Sequence, residues 1–213
     1  MIYQIQFEDG ENIFAPHSDD IQVGIGDYVV FKLNKGEEIG KVTKILQLGN
    51  PSVSILRKAT QEDIEAYKEI IAEEYGALEL CRQKAKEMEL PIKIAYTHIQ
   101  FDKSILRIDY LSEKKIGLRR LMKEIAKFYK ERIEFRQIGV RSYAKKFNGI
   151  GVCGNILCCR LFMSEFEPIT VDLIKLQSLS CGASKLTGFC GKLMCCLAFE
   201  KENYTEYKTQ KPE

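Results

Sequence analysis

The run Ile92-Lys-Ile-Ala-Tyr-Thr-His-Ile-Gln-Phe-Asp-Lys-Ser-Ile-Leu-Arg-Ile-Asp-Tyr-Leu111 carries the decision about the fold. β-Branched, aromatic and aliphatic residues dominate Ile92–Phe101 and Ser104–Leu111, and Asp102-Lys103 between them supplies turn chemistry, so the stretch reads as two antiparallel strands. Helical periodicity lies on both sides. Upstream, Thr60 with Asp63 three residues later forms a capping signal, and Ile64, Tyr67, Ile71, Leu78, Cys81, Ala85 and Met88 follow at helical spacing until Pro91. Downstream, Leu118, Leu121, Met122, Ile125 and Phe128 share one helical face, and a further strand, Arg132–Gly139, comes next. With Val53–Arg57 as a first strand, residues 53–139 spell β-α-β-β-α-β, the split arrangement with two helices on one face of a four-stranded antiparallel sheet. The alternative is that Val53–Arg57 closes the sheet before it, leaving three strands here.

That earlier sheet occupies residues 1–58, where alternating runs such as Ile2–Phe7, Gly26–Leu33 and Ile39–Leu46 are separated by Asp9-Gly10 and Asn34-Lys35-Gly36. Such punctuation predicts hairpins, and so short a segment suits a small bent antiparallel sheet or partial barrel. The expected class is therefore α+β in three parts: a β domain over 1–58, an α+β domain over 59–139, and a cysteine-rich region over 140–213. Met1 runs straight into strand-like residues and no apolar stretch is long enough to span a bilayer, so a cytoplasmic protein is expected. The net charge of +2 conceals a segregation: residues 61–90 are mainly acidic, residues 113–146 mainly basic.

Seven of the eight cysteines lie between 153 and 196. Gly151-Val-Cys-Gly-Asn-Ile-Leu-Cys-Cys159 and Gly188-Phe-Cys-Gly-Lys-Leu-Met-Cys-Cys196 superpose with every glycine and cysteine matched, an internal repeat. A Cys-Gly turn brings backbone close to a bound centre, because glycine accepts dihedrals that a Cβ forbids. The thiol five positions on returns to the same place. Two such clamps provide Cys153, Cys158, Cys190 and Cys195, the four thiolates needed by a 4Fe-4S cluster or by tetrahedral zinc. The spacing favours iron, since zinc clamps usually have Cys-x-x-Cys, and zinc is the alternative. Cys159 and Cys196, the remaining metal candidates, either pack behind the site or serve a second centre. Cys81 falls on the apolar side of the first helix and reads as a core thiol.

Enzymatic readings find little footing. His17 and His98 are the only histidines and both are far in sequence from the cysteines, Cys-x-x-Cys is absent, and there is no phosphate loop. A non-enzyme is expected.

Three blocks carry a family resemblance: Arg132-Ile-Glu-Phe-Arg-Gln-Ile-Gly-Val-Arg141, Gly149-Ile-Gly-Val-Cys-Gly-Asn-Ile-Leu-Cys-Cys159 and Lys185-Leu-Thr-Gly-Phe-Cys-Gly-Lys-Leu-Met-Cys-Cys-Leu197. They resemble the polymerase-suppressor-protein C-terminal domain family, whose bacterial members also begin with a segment like Gly26-Asp-Tyr-Val-Val30. The resemblance implies a non-catalytic regulatory subunit that binds 4Fe-4S clusters and joins two small helical partners, RicA and RicF, in a complex acting on RNA maturation through ribonuclease Y. The chain departs from the family where Asn155 replaces an arginine, Ser142 an acidic residue and Cys181 an aliphatic one, so Cys181 is not expected to be a shared ligand.

A second class of function rests on the basic segment. Lys114, Lys115, Arg119, Arg120, Lys123 and Lys127 gather on or beside one helix, with Lys145-Lys146 following and Tyr143 and Phe147 near them. This suits direct RNA or DNA contact through phosphates, or equally a solvated helix face, and gives the alternative of a zinc-stabilised nucleic-acid-binding or adaptor protein.

Overall fold

The computed structural model describes residues 2–7, 12–17, 21–33, 36–47, 50–147, 149–163 and 168–204. The turns expected at Asp9-Gly10 and Asn34-Lys35 lie outside these. The chain divides into two compact units, Met1–Ile138 and Gly139–Glu213.

The first unit opens with five strands, β1 (Ile2–Gln6), β2 (Asn12–Pro16), β3 (Tyr28–Leu33), β4 (Gly36–Leu46) and β5 (Ser54–Lys58), in a curled antiparallel sheet of order β2-β1-β4-β3-β5. Its curl follows from the long β4, which pairs with both β1 and β3, and from register breaks at Gln4/Ile5 and Val30/Phe31. The pleat of β3 sends Val29 and Phe31 into one core, with Tyr3, Ile5, Ala15, Val42 and Val53, while Val30 turns the other way, to Ile39 and Tyr67. Gly40 is required at the crossing of these strands, because a Cβ there would stand 2.5 Å from Ile5 Cγ2.

β5 corrects the expected split β-α-β-β-α-β layer. It pairs with β3, setting Ile55 opposite Phe31, so it closes the N-terminal sheet, and the second sheet has three strands. The physical reason is burial: Val53 and Ile55 complete the apolar cluster around Phe31, and Lys58 pairs with Asp27 at 2.7 Å beside β3. The second sheet has the order β6-β7-β8, from β6 (Lys93–Ile99), β7 (Ile105–Leu111) and β8 (Arg132–Gln137). It is not wholly antiparallel either, for β8 runs parallel to β7 after a helical crossover. Asp109 on β7, fully buried, takes two bonds of 2.9 Å from Arg136 directly across on β8.

Helix α1 (Gln61–Glu87) has the expected Thr60/Asp63 capping box, with acidic residues in its first turn and Lys84 and Lys86 in its last. Its buried face is Tyr67, Ile70, Glu74, Ala77, Cys81 and Ala85. Cys81 is the core thiol expected, its pKa pushed up to about 12 by burial. Glu74 is the surprise on this face: its Oε1 accepts the Ile99 N–H at 2.8 Å and also meets His98 Nδ1 at 2.8 Å. On its other side the His98 Nε2 lies 2.9 Å from Glu38 of β4, so a buried charged triad ties both sheets and α1 together.

Helix α2 (Arg119–Ile125) buries Leu118, Leu121 and Ile125, but Met122 and Phe128 are exposed, contrary to the expected five-residue face. The helix stops at Ile125, so Phe128 leaves the helical register, and Met122 lies beside the buried stripe. Among the described residues no helix is long and apolar enough to cross a membrane.

The second unit is built of short pieces: α3 (Val140–Lys146), α4 (Cys158–Leu161), α5 (Asp172–Leu176), a single 3-10 turn (Ala183–Leu186) and α6 (Cys196–Phe199).

Candidate metal centre

Each cysteine repeat folds as a tight hairpin running into one turn of helix. In the first, the Gly151 N–H donates to Asn155 O (2.8 Å), Gly154 to Gly151 O (3.0 Å) and Leu157 to Gly149 O (3.1 Å). In the second, Gly188 donates to Lys192 O (2.9 Å), Gly191 to Gly188 O (2.9 Å) and Met194 to Leu186 O (2.9 Å). Every bond recurs 37 positions later, as do the bridges Ile150–Ile156 and Thr187–Leu193. Gly154 (φ +80°) and Gly191 (φ +74°) turn the chain at the tips in the left-handed region that favours glycine. Cys153 and Cys190 sit at these tips; Cys158-Cys159 and Cys195-Cys196 sit where each hairpin becomes α4 or α6.

The two copies face one another. Phe162 and Phe199, equivalent residues of the two repeats, meet edge to face with ring centroids 5.6 Å apart. One sulfur pair crosses between the copies, the Cys195 thiol being hydrogen-bonded to Cys159.

All six of these cysteines line one cavity of ≈ 80 Å³, whose remaining wall is apolar or glycine, including Ala144, Leu157, Leu193 and Met194. A single water needs roughly 10–15 Å³ of such space, so the cavity exceeds one small ion or molecule. Among the described residues, no three His, Cys, Asp or Glu side chains converge in metal-holding geometry. The structure thus brings the four expected thiols, Cys153, Cys158, Cys190 and Cys195, to one cavity, and brings Cys159 and Cys196 there with them. Cys159 is buried, yet in the cavity wall rather than behind it. Cys181 is exposed and stands apart from the lining.

The electrostatics suit a group that binds several thiolates. The hydrogen bond from Cys195 holds Cys159 down at about 7 against the opposing effect of burial, and the same bond, with burial, pushes Cys195 up. Burial followed by the neighbouring thiols Cys196, Cys195 and Cys153 raises Cys158, and burial then Glu200 raise Cys196. So many sulfurs do not all ionise together unless positive charge compensates them. Part of that charge is built in: Arg141 on α3 is buried, its guanidinium favours the thiolate forms of Cys159 and Cys195, and its Nη2 donates to Leu193 O at 2.8 Å.

Two other buried polar groups brace the repeats. Lys145, one turn beyond Arg141, donates from Nζ to Met163 O at 3.0 Å, and Gln177 donates to Leu197 O at 2.7 Å. Lys145 is therefore no surface phosphate ligand, as the basic pair Lys145-Lys146 suggested. Sequence reasoning missed Arg141 and Lys145 as parts of the site, although their i, i+4 spacing places both on one face of a helix leading into the first repeat.

Residues 53–138 match the family model described as the PSP1 C-terminal conserved region, and residues 168–211 that of the PSP1-like protein, third domain. The chain is 37% identical over 163 residues to the stage 0 sporulation protein YaaT of Bacillus subtilis, a match covering 76% of this chain and 59% of that protein. It is 24% identical over 167 residues to an uncharacterized protein of Schizosaccharomyces pombe, covering 62% of this chain and 22% of the yeast protein. The chain thus spans less than two thirds of the length of these curated relatives. No solved structure matches.

Proposed function

We propose that the chain, which matches the PSP1 family models over residues 53–138 and 168–211 and resembles YaaT, is a non-catalytic regulatory subunit of the YaaT (RicT) type that binds a 4Fe-4S cluster. Within that reading it acts with RicA-like and RicF-like partners to modulate RNA processing by ribonuclease Y in the cytoplasm. The observation that carries the reading is the convergence of six thiols from two facing repeats on one apolar cavity beside the buried Arg141.

The donor set fits the group. Thiolates are the usual ligands of iron-sulfur clusters, an apolar wall excludes competing water, and a cation beside the sulfurs offsets the negative charge that a thiolate-ligated centre carries. Cys153, Cys158, Cys190 and Cys195 would hold the cluster, with Cys159 and Cys196 beside them as further metal candidates. When bound, it supplies an oxidation-sensitive staple between the two repeats. The chain's own residues do the rest: Gly154 and Gly191 turn the tips, Arg141 ties α3 to the second repeat through Leu193, and Gln177 anchors α6. Zinc on the same four thiols is the alternative, since tetrahedral thiolate coordination serves both.

Anaerobic purification tests this. Visible absorbance with bound iron and sulfide is expected, lost in Cys153→Ser and Cys190→Ser; colourless protein carrying zinc would assign the site to that metal. Co-purification with RicA-like and RicF-like proteins is expected for the wild type, and its absence would remove the partner assignment.

A further inference from the structure

The acidic and basic halves of the first unit treat their charges differently. On α1 and its surroundings four cations are matched, Arg57 with Asp63, Arg82 with Glu79 (3.0 Å), Lys84 with Glu87 (2.8 Å) and Lys103 with Glu73 (2.8 Å), and Lys68 and Lys86 of α1 have no ion pair among the described residues. Around α2 matched cations are the minority. Lys93, Lys114, Lys115, Arg119, Arg120 and Lys123 are all exposed, and none has an ion-pair partner among the described residues within 4.0 Å. Lys127 is the exception, bonded to Glu124 at 2.7 and 2.8 Å.

These cations follow one track. Lys93, Lys114 and Lys115 line an open groove of ≈ 680 Å³ between the start of β6 and the end of β7, in which Glu113 is the single carboxylate of the lining. Four residues on from Lys115 the outer face of α2 begins, a separation of at most about 14 Å along the chain, and Arg119 and Lys123 continue at i, i+4. Lys123 suits the last turn and Arg120 acts on Glu124 at i, i+4, but the start of the helix gains nothing from the pattern. α1 places acid first and base last, as its dipole favours, whereas α2 starts with two arginines and has no acidic residue in its first turn. Positions that break a local rule without local gain point to a role outside the element.

An exposed aromatic ring follows five residues beyond Lys123 in the chain. Phe128 is 61% exposed, and Met122 on α2 is exposed as well. Unpaired cations in a row with an exposed ring form the pattern that holds single-stranded nucleic acid, phosphates on the cations and a base stacked on the aromatic. Folded protein partners and membranes would also meet the positive charge, but an exposed ring on the same basic segment favours the unpaired base.

We propose that the groove at Lys93, Lys114 and Lys115 and the outer face of α2 bind single-stranded nucleic acid through its phosphates, without sequence readout, with Phe128 as a stacking platform. The surface belongs to the first unit and does not depend on the metal centre.

Fluorescence anisotropy of a labelled mixed-sequence single-stranded RNA, titrated with the full chain, tests it. Six neutralised phosphates give a slope of log affinity against log salt of about −4, and Arg119→Ala/Arg120→Ala/Lys123→Ala lowers it by about 2. Alanine keeps the helix, since it has the highest helix propensity. Affinity should fall at least tenfold in this variant and in a Phe128→Ala variant should fall with the slope unchanged. Lys44→Ala/Lys68→Ala, which removes exposed lysines elsewhere in the unit, should bind as the wild type does. Four results overturn the proposal: no binding at about 50 mM salt, a triple variant that binds unchanged, a Phe128→Ala variant that binds unchanged, or binding to phosphatidylglycerol vesicles with none to RNA.

Discussion

Phe162 and Phe199 stand in equivalent places in two repeats and pack against each other, ring edge to ring face, at 5.6 Å. A residue that touches its own repeat-mate lies close to a local two-fold axis, and the bond between Cys159 and Cys195 likewise joins the two repeats. The ring pair should couple the two repeats. Double-mutant cycles with Phe162→Ala and Phe199→Ala, read by thermal or denaturant unfolding, should give a coupling of about 0.5–1.5 kcal/mol. Phe162 is 67% and Phe199 47% exposed, so each single variant should still fold.

The hairpin tips give a paired prediction. Gly154 and Gly191 hold φ near +80° and +74°, and a Cβ at either would meet nothing within 4 Å. The cost of Gly154→Ala or Gly191→Ala is therefore backbone strain alone, about 1–2 kcal/mol. The two variants should lose similar stability and retain less metal, while asparagine, which tolerates the left-handed region better, should lose less. Equal unfolding midpoints for wild type and both alanine variants would contradict this.

Much of the site was legible in these residues. The duplicated spacing gave the two clamps and the left-handed glycines their places before any coordinates. It did not show the pairing of Cys159 with Cys195, because which sulfur of an adjacent pair faces its neighbour depends on how two separate hairpins dock. Arg141 and Lys145 were hidden for a related reason: a charged residue on a short helix reads as solvated until something packs over it. The same held for Glu74, a carboxylate within an apolar stripe. In the sheets, Val53–Arg57 could pair on either side by pattern alone, and long-range pairing with β3 decided it.

Arg141 should matter to metal retention beyond its structural bond to Leu193 O. Arg141→Gln removes its charge from beside Cys159 and Cys195, and the change of supporting partners around a metal site typically lowers affinity 10–100-fold. Arg141→Lys should recover part of the loss. Competition with a chelator, monitored by bound metal, checks both; retention equal to wild type in Arg141→Gln would contradict the role given to its charge.

His98 makes stability depend on pH. Burial opposes its charge, but hydrogen bonds to Glu38 and Glu74 prevail and raise its pKa from 6.5 to about 9. A raised folded-state pKa contributes stability that is fully present below the unfolded value near 6.5 and is lost as pH rises through about 9. The contribution is on the order of 3 kcal/mol. The imidazole resonances should titrate near the upper value by NMR, and the unfolding midpoint should decline across that window. His98→Gln leaves two buried carboxylates facing each other and should be destabilised at neutral pH by about 3–5 kcal/mol.

The central claim is that Cys153, Cys158, Cys190 and Cys195, in a cavity lined by six thiols, hold an iron-sulfur cluster. The Mössbauer spectrum of isotopically enriched, anaerobically purified protein tests it most directly. The account predicts the quadrupole doublets of a 4Fe-4S cluster in the wild type and their loss in a Cys153→Ser/Cys190→Ser variant. A wild-type protein without cluster iron, whether it carries zinc or only free thiols, would contradict it.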